Sequence, residues 1–345
     1  MRRLNQVVGT LAPYDAISNE ILQMQEALRA FGYLSEVFAE GTVGGSRDLA
    51  RPLEALHYQG DAALLFHYSN WSGATVRALE FSGPLILRYH NVTPPEWFEG
   101  VNALGARLTR LARAALPTVA ERTTLALAAS EFSRQQLVEA GCERTAVLPI
   151  LMPERPPGEP VPDPDPLILT VGRIVPNKRV DEIIRVFAVY QRACRPNASL
   201  HIVGSGRWFE PYEHACRRLV DELTVRNVRF VGQVTEQGKH ALYRRAAAYV
   251  CLSEHEGFGV PLVEAMRWGV PVLGRARGAV AETLGAGGIA VETKSRAELA
   301  ELLDLIVSDE GLRSRLRAGA QKELQRFERH TVRERLRSLL AEVVE

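Results

Sequence analysis

A proline-rich stretch near the middle of the chain is the feature that most limits how this sequence can fold. Seven of the 14 residues from Pro153 to Pro166 are prolines. Proline fixes φ and has no amide proton to donate, so the segment predicts neither a helix nor a central strand. We interpret residues 153–166 as an extended, semi-rigid linker. It separates two segments that are each close to the usual domain size of roughly 150 residues.

Short apolar runs alternate with helical patterns on both sides of this linker. The runs that predict strands are Gln6–Thr10, Ala62–Tyr68, Leu85–His90, Leu125–Ala129, Ala146–Leu148, Leu167–Val171, Leu200–Val203, Val228–Val231, Tyr249–Leu252 and Val270–Leu273. The patterns that predict helices include Ile17–Phe31, Val180–Arg192, Glu213–Leu223, Ala297–Ser308 and Val332–Val344. Apolar strands separated by helices are typical of βαβ units, which form parallel sheets with helices on both faces. The predicted class is α/β, with two doubly wound Rossmann-like domains.

The predicted organisation has four parts: an N-terminal domain over residues 1–152, the linker over 153–166, a second domain over 167–328 and a C-terminal helix over 329–345. The periodicity of the last helix does not decide whether it returns to the first domain. In open α/β sheets, ligands bind beyond the carboxyl ends of the strands, and two such domains facing each other would form a cleft. Functional residues are therefore expected in loops that follow strands.

Charge balance and cysteine usage exclude several classes of protein. Lys+Arg 42 against Asp+Glu 41 gives a formal net charge of +1, whereas a dedicated nucleic-acid binder normally has a basic excess. The four cysteines form no Cys-x-x-Cys pair, which argues against a disulfide framework or a structural zinc site and favours the reducing cytoplasm. No apolar stretch of 18 residues and no targeting segment is recognisable, so neither a membrane span nor export is predicted.

One segment leaves peripheral contact with the inner face of a membrane open. Leu104, Leu108 and Leu111 recur at helical spacing, with Arg107, Arg110 and Arg113 beside them. This pattern occurs in helices that lie on a membrane, and more often in amphipathic helices that pack their apolar face on a core. The core-packed helix is the prediction, and membrane contact is the alternative.

Two loops in the second domain carry residues suited to a phosphate. Arg173 and Lys178 stand between the strand Leu167–Val171 and the next helix. A guanidinium fork and an ammonium point charge together could clamp a diphosphate, although two solvated surface cations would give the same pattern. After the next strand comes Gly204-Ser205-Gly206, which lets the backbone approach a ligand closely or simply forms a turn.

The most informative segment follows the strand Tyr249–Leu252 and contains EGFGVPLVEAM. Pro261 and Gly269 predict the start and the end of a short helix. Its free amide groups and its dipole make the helix N-terminus an anion site. Glu256 and Glu264 bracket that site, and carboxylates beside a phosphate are suited to accept hydrogen bonds from sugar and ribose hydroxyls. The pattern as a whole disfavours the alternative that Glu264 is an ordinary helix residue and Glu256 a partner of the helix dipole in the first turn.

This segment resembles the signature of the retaining glycosyltransferases of family 4, which have the GT-B fold. Glu256 and Glu264 stand eight positions apart, followed by GVPV, and the two upstream loops have the family's usual spacing. The resemblance is specific over about Leu167–Val307 and weaker in the first domain, where YHNVTPP and ASEFS are similar to family elements.

The resemblance implies a role for each charged residue. Arg173 and Lys178 bind the diphosphate of the donor, Glu256 holds hydroxyls of the donor sugar, and Glu264 accepts from the ribose. His90, after a first-domain strand, faces the donor sugar. His90, Arg173, Lys178 and Glu256 are the predicted catalytic residues; taken without the resemblance, His90 is a core or capping histidine.

The other implied donor-site positions act mainly through their backbone. They are Gly172, Gly204, Gly206, Val231, Gly232, Gly257, Phe258, Gly259 and Leu262. Val231 and Gly232 belong to the loop that holds the base, and Leu262 lies against the diphosphate or the ribose. One departure from the family is the loop after the first strand, which has only Gly9 where many members have a glycine pair. The approach of the first domain to the donor is therefore left open.

The resemblance implies a hexosyltransferase that uses a GDP- or UDP-linked donor and a hydroxyl acceptor on a glycan, a lipid-linked group or a small molecule. The HNVTPPE stretch is similar to members that build bacterial surface polysaccharides and glycoconjugates. No Asp-x-Asp motif follows a predicted strand, and two cations with a helix N-terminus can stabilise a departing diphosphate. We therefore expect transfer with retention, with no metal and no other cofactor, and the resemblance implies front-face attack.

Three alternatives stay open. A GT-B nucleotide-sugar epimerase would convert the donor without an acceptor, and a non-catalytic GT-B partner subunit would keep only the fold. The complete set of Arg173, Lys178, Glu256 and Glu264 disfavours the non-catalytic subunit. A Rossmann dehydrogenase is disfavoured because no Gly-x-Gly-x-x-Gly follows the first strand.

Overall fold

The computed structural model describes residues 2–13, 15–58, 60–156, 158–161 and 163–344. Tyr14, in the loop after the first strand, and Pro157 and Pro162, in the predicted linker, lie outside the described residues. The chain forms two compact units. Unit 1 contains Met1–Glu99, Ala103–Glu154 and Arg326–Glu345, and unit 2 contains Gly100–Asn102 and Arg155–Gln325.

Unit 1 is built on a parallel sheet with seven strands in the described residues. They are β1 (Arg3–Leu11), β2 (Val37–Thr42), β3 (Arg51–Pro52), β4 (Asp61–Tyr68), β5 (Leu85–Tyr89), β6 (Leu125–Ala128) and β7 (Thr145–Val147). Their order is β3-β2-β1-β4-β5-β6-β7, and each pair is parallel. The helices between them are α1 (Ala16–Ala30), α2 (Gly73–Glu80), α3 (Ala103–Arg122) and α4 (Glu131–Glu139).

Unit 2 repeats this plan with six strands in the part of the chain that is described. They are β8 (Leu167–Val171), β9 (Ser199–Val203), β10 (Val228–Gly232), β11 (Ala248–Cys251), β12 (Val272–Arg275) and β13 (Gly288–Val291), in the order β10-β9-β8-β11-β12-β13. Its helices are α5 (Val180–Ala193), α6 (Glu210–Glu222), α7 (Glu236–Arg245), α8 (Val260–Arg267), α9 (Val280–Leu284), α10 (Arg296–Ser308) and α11 (Glu310–Leu324). Short 3-10 helices occur at Gly44–Leu49, Leu53–Ala55, Pro95–Trp97, Pro176–Lys178, Gly285–Gly287 and Gln325–Phe327.

These two parallel sheets confirm the predicted α/β class. Each predicted strand is present, with ends that move by at most three residues. The sequence analysis did not predict β2, β3 and β13. Strand β3 has only two residues and shows no apolar run, whereas β13 is a short apolar run, GIAV, that is half-buried along its whole length.

The last helix, α12 (Arg329–Val344), belongs to unit 1. It packs in the same apolar cluster as Leu4 of β1 and Leu65 of β4. The side chains that it contributes are Val332, Leu336, Leu339 and Leu340. Arg329 also pairs with Glu26 of α1 at 2.6 Å. Burial of this apolar face supplies the main reason for the position of α12.

The predicted linker packs along unit 2. Val161 donates its N–H to the carbonyl of Arg244 at 2.8 Å, and Arg245 pairs with Asp163 at 2.8 Å. Arg155 lies over the ring of Trp268. These contacts explain why the long segment of unit 2 begins at Arg155, inside the predicted linker. The preceding segment of unit 1 ends at Glu154, two residues beyond the predicted boundary at 152.

Helix α3 contacts the core through a different face from the predicted one. Its buried residues are Ala106, Thr109, Ala112, Leu116, Val119 and Ala120. Leu104 is 66% exposed and Leu111 is 41% exposed, so the prediction that the leucine stripe packs on the core is wrong. Small side chains on the inner face let the helix approach its neighbours closely. No helix in the described part of the chain is long and apolar enough to cross a bilayer.

Candidate functional site

The strand order of unit 2 reverses between β8 and β11, which are neighbours in the sheet. Such a reversal opens a crevice beyond the carboxyl ends of the strands. A narrow pocket lies there, and its lining includes Gly172, Arg173, Lys178, Ser253 and Glu256. Its cavity volume is about 20 Å³, room for about one water molecule. The structure therefore brings four of the predicted site residues to one pocket.

Asn177 joins the loops that follow β8 and β11. Its carbonyl accepts from the N–H of Glu254 at 2.8 Å, and its Nδ2 donates to the carbonyl of His255 at 3.2 Å. Asn177 is buried. Because these bonds connect the loop of Lys178 to the loop of Glu256, they hold the two side chains within reach of each other.

Lys178 and Glu256 form an ion pair at the wall of the pocket. Lys178 Nζ lies 2.5 Å from Glu256 Oε1, and the Ser253 hydroxyl donates to the same oxygen at 2.8 Å. The lysine side chain is 26% exposed and the glutamate 10%. Burial and the charge of Glu256 raise the pKa of the neighbouring Cys251 thiol to about 11, so Cys251 is not a thiolate nucleophile at neutral pH.

Gly278 supports the backbone of Glu256. Ala279 donates its N–H to the carbonyl of Glu256 at 2.9 Å. Gly278 has φ +57°, and a Cβ there would lie 2.4 Å from that carbonyl oxygen. Only glycine fits this approach without displacing Glu256.

Three of the predicted glycines have a packing role. A Cβ on Gly204 would lie 1.9 Å from the carbonyl oxygen of Gly172, and a Cβ on Gly206 would lie 2.6 Å from a carboxylate oxygen of Glu213. The loops after β8 and β9 therefore touch at Gly172 and Gly204. At the end of β10, Gly232 has φ +80° and its carbonyl accepts from Gly204 at 2.9 Å, while Val231 is 36% exposed.

Arg173 is exposed at the mouth of the pocket. Its guanidinium lies over the ring of Phe209, with 5.3 Å to the ring centroid. Phe209 is buried, so it anchors the loop after β9 beneath the arginine. Stacking on an aromatic face fixes the plane of a guanidinium, and the edge of that plane is the part that binds anions.

The turn before α8 is tightly packed. Gly259 caps the helix with φ +89°, and a Cβ there would lie 2.6 Å from Leu262 Cδ1. The carbonyl of Phe258 accepts from Thr283 Oγ1 at 2.7 Å, and both Phe258 and Leu262 are buried. Gly257 is half-buried between Glu256 and this turn.

Glu264 lies on α8 and contacts two side chains of α7. Lys239 Nζ lies 2.6 Å from Oε1, and the Tyr243 hydroxyl donates to Oε2 at 2.9 Å. Burial favours neutral Lys239, but Glu264 and Glu236 outweigh it, so the pKa of Lys239 is raised. Burial and Glu264 raise the pKa of Tyr243. Lys239 therefore stays charged and Tyr243 stays a donor, and both orient the carboxylate.

His90 lies in unit 1, and its ring is 2% exposed. Its Nε2 lies 2.9 Å from Nδ1 of His67, and its Nδ1 lies 3.5 Å from Glu20 Oε2. His67 Nε2 lies 2.9 Å from Gln6 Oε1. Burial, His67 and Arg88 lower the pKa of His90, so the ring is neutral at pH 7. The structure places this ring in a buried polar network of unit 1.

Several residues at the site escaped the sequence analysis. Asn177, Ser253 and Gly278 support the pair of Lys178 and Glu256, and Lys239 and Tyr243 support Glu264. Ser253 carried a signal, because it stands three positions before Glu256 in the same loop. Lys239 and Tyr243 carried none, since only the packing of α7 on α8 brings them to Glu264. Among the described residues, no group of three or more His, Cys, Asp or Glu side chains is arranged to hold a metal.

Comparison with known proteins shows what this chain is similar to. Residues 153–323 match the family model for glycosyl transferases group 1. Over 171 residues the chain is 32% identical to the GDP-mannose-dependent monoacylated alpha-(1-6)-phosphatidylinositol monomannoside mannosyltransferase of Corynebacterium glutamicum, which covers 47% of this chain and 43% of that protein. Over 162 residues it is 33% identical to the D-inositol 3-phosphate glycosyltransferase of Frankia alni, which covers 45% and 40%. The chain spans less than half the length of these relatives.

The whole chain is also similar to solved structures. Anabaena HepE, solved in complex with UDP and glucose, has a TM-score of 0.77 at 18% identity over 99% of this chain and 100% of that one. A likeness at this identity shows the fold alone. The fold is the predicted GT-B type, with two Rossmann-like domains.

Proposed function

We propose that this chain is a retaining glycosyltransferase that moves a hexose from a nucleotide-diphosphate sugar to a hydroxyl acceptor, because residues 153–323 match the family model for glycosyl transferases group 1. The observation that carries the proposal is the pocket beyond β8 and β11, where Lys178 and Glu256 meet at 2.5 Å beside Arg173. Cations and a carboxylate in one pocket suit the two ends of a sugar diphosphate, one anionic and one rich in hydroxyls.

In the proposed complex, the diphosphate lies between Arg173, Lys178 and the N-terminus of α8. Lys178 exchanges Glu256 for a phosphate oxygen, and Glu256 is then free to accept hydrogen bonds from sugar hydroxyls. The guanidinium adds a planar fork, and the N-terminus of α8 adds the positive end of the helix dipole. The glycine backbones allow the ligand to approach; these are Gly172, Gly204, Gly206, Gly257 and Gly259.

The nucleoside binds next to α8 and β10 in this proposal. Glu264 accepts from the ribose hydroxyls, and its contacts with Lys239 and Tyr243 keep the carboxylate oriented. Leu262 packs against the diphosphate or the ribose. Val231 and Gly232, at the exposed end of β10, hold the base.

The proposed chemistry is front-face transfer without a metal. The bond between the anomeric carbon and the phosphate oxygen breaks while the acceptor oxygen bonds to the same face of that carbon. The departing phosphate oxygen takes the acceptor proton. Fixed positive charge at the leaving group is the main source of rate enhancement, and here Arg173, Lys178 and α8 would supply it. The predicted contact of His90 with the sugar would require its ring to leave His67.

Donor, acceptor and compartment are also proposals. One relative is named for GDP-mannose and HepE was solved with UDP, so we propose a GDP- or UDP-linked hexose. The proposed acceptor is a glycan, a lipid-linked group or a small molecule in bacterial polysaccharide or glycoconjugate synthesis. Four free cysteines support the cytoplasm, and we propose contact with the inner face of the membrane.

Thermal unfolding with and without nucleotides tests the binding site. UDP, GDP, UDP-glucose and GDP-mannose are added to the wild type and to K178A, E256Q and K294A. A ligand that binds the folded state raises Tm, so we expect one nucleotide series to stabilise the wild type and K294A. Lys294 is exposed and pairs with Glu298, which makes it the matched control. Equal stabilisation of K178A and E256Q would place the nucleotide elsewhere and overturn the proposal.

A further inference from the structure

The outward face of α3 carries exposed leucines beside arginines. Leu104 is 66% exposed and Leu111 is 41% exposed, and Leu108 between them is half-buried. Positions at this spacing lie on one side of a helix. The fold does not need these leucines, because the core contacts of α3 come from its other face. From this face we infer that α3 docks on the surface of an anionic phospholipid bilayer.

Two arginines on the exposed part of α3 provide the matching charge. Arg107 and Arg110 are exposed. Arg110 pairs with Glu99 at 2.5 Å, and both side chains are more than half exposed, at 57% and 56%. An exposed pair of this kind contributes little to stability, so Arg110 can exchange Glu99 for a lipid phosphate. Arg113 differs, because it donates to the carbonyl of Val92 at 3.1 Å and so supports the fold.

Leucines beside arginines on one exposed face are better suited to a lipid surface than to an ordinary protein partner. A helix in the plane of the interface places its leucines among the acyl chains and its guanidinium groups at the phosphates. The net charge of the chain is only +1, so the basic character of this face is local. The inference rests on the membrane contact proposed above and is independent of the nucleotide site.

Co-sedimentation with vesicles tests the inference on the full chain. Vesicles of phosphatidylcholine alone are compared with vesicles that also contain phosphatidylglycerol, at low and at physiological salt. We expect binding only to the phosphatidylglycerol vesicles, weaker at higher salt. L104S/L111S should lower the partition coefficient about tenfold because two leucine side chains leave the acyl layer. R107Q/R110Q should lower it and remove most of the salt dependence.

The control variant is V138S/L305S, which removes two apolar side chains of similar exposure, 42% and 49%, from α4 and α10. It should bind vesicles like the wild type. The Tm shift with UDP or GDP is measured on the same samples and should be equal in all four proteins, so a failed nucleotide site would show separately. No binding to phosphatidylglycerol vesicles, or equal binding by L104S/L111S, overturns the inference. A dimer in gel filtration that L104S/L111S dissociates would also overturn it, because a second copy would then cover this face.

Discussion

Two close ion pairs, Arg88 with Glu20 in unit 1 and Lys178 with Glu256 in unit 2, differ in their access to solvent. In unit 1, Arg88 Nη2 and Glu20 Oε1 lie 2.5 Å apart with both side chains fully buried. In unit 2, Lys178 and Glu256 lie at the same distance, but their side chains are 26% and 10% exposed at the wall of a pocket. Two ion pairs of the same length can thus have different roles, because only the second pair can exchange its partner for a ligand.

The buried pair is also tied to the backbone around it. Arg88 donates to the carbonyl of Leu148 at 2.7 Å, and Glu20 accepts from the N–H of Leu151 at 3.3 Å. Paired and hydrogen-bonded charges are the form in which ions are tolerated in a core. The Lys178 pair has one hydroxyl donor, Ser253, on the acid side. We therefore expect the first pair to control folding and the second to control ligand binding.

Breaking the buried pair should have the largest effect. R88M leaves the buried Glu20 carboxyl without its cation, which should lower the free energy of unfolding by about 3–5 kcal/mol. Urea denaturation followed by tryptophan fluorescence measures this. E20L/R88M removes both charges and should recover most of the loss. If R88M unfolds at the wild-type urea concentration, the buried pair does not hold the fold.

Removing the cation of the exposed pair should act on activity. K178A should lower the rate of sugar transfer, or of donor hydrolysis, by a factor of about 100 or more because a charge that stabilises the leaving group is lost. Its loss of stability should be smaller than that of R88M. K294A is the control and should keep wild-type turnover. Near-normal turnover of K178A would show that the pair of Lys178 and Glu256 does not control activity.

The buried network of unit 1 should also set an acid limit to stability. Burial lowers the pKa of His67 to about 3 and lowers that of His90, whereas an unfolded histidine titrates near 6.5. From pH 6.5 down to about 3 the unfolded chain binds more protons at these rings, so stability falls as the pH falls. Burial raises the pKa of Glu20 despite Arg88. Above the ordinary pKa of a glutamate the folded state therefore binds more protons at Glu20, so this residue makes stability rise as the pH falls.

The change H67Q should reduce this slope by up to about 1.4 kcal/mol per pH unit, the value for one proton. Urea unfolding at a series of pH values between 6.5 and about 5 measures it. H214Q, at an exposed histidine of α6, is the control and should keep the wild-type slope. An unchanged slope in H67Q would show that the ring is not enclosed as neutral imidazole.

A further effect is expected where unit 2 supports its pair through the backbone. G278A places a Cβ 2.4 Å from the carbonyl oxygen of Glu256 at φ +57°, which should cost about 1–3 kcal/mol of stability. It should also weaken the Tm shift given by the bound nucleotide. G45A is the control, since a Cβ there meets nothing within 4 Å. If the nucleotide raises the Tm of G278A as much as that of the wild type, the position of Glu256 does not affect nucleotide binding.

Some of the site was predictable because its residues stand in loops that follow strands. Glu256 is far in sequence from Arg173 and Lys178, but the carboxyl ends of parallel strands meet at one edge of a sheet. The support of Glu264 by Lys239 and Tyr243 was not predictable, since it depends on how α7 packs on α8. The surroundings of His90 also depend on packing: the resemblance implied a contact with the sugar, the sequence alone a core or capping histidine, and the ring lies beside His67 of β4 and Glu20 of α1.

What the sequence determined alone was the class of fold, the position of most strands and the chemical types at the pocket. Local patterns suffice for these, because apolar runs, prolines and glycines restrict the backbone wherever they occur. Tertiary structure decided which face of α3 is buried, where residues 153–166 pack and which of two ion pairs meets solvent. Those outcomes depend on packing between segments distant in the chain, and a periodic pattern does not specify which of its faces will be covered.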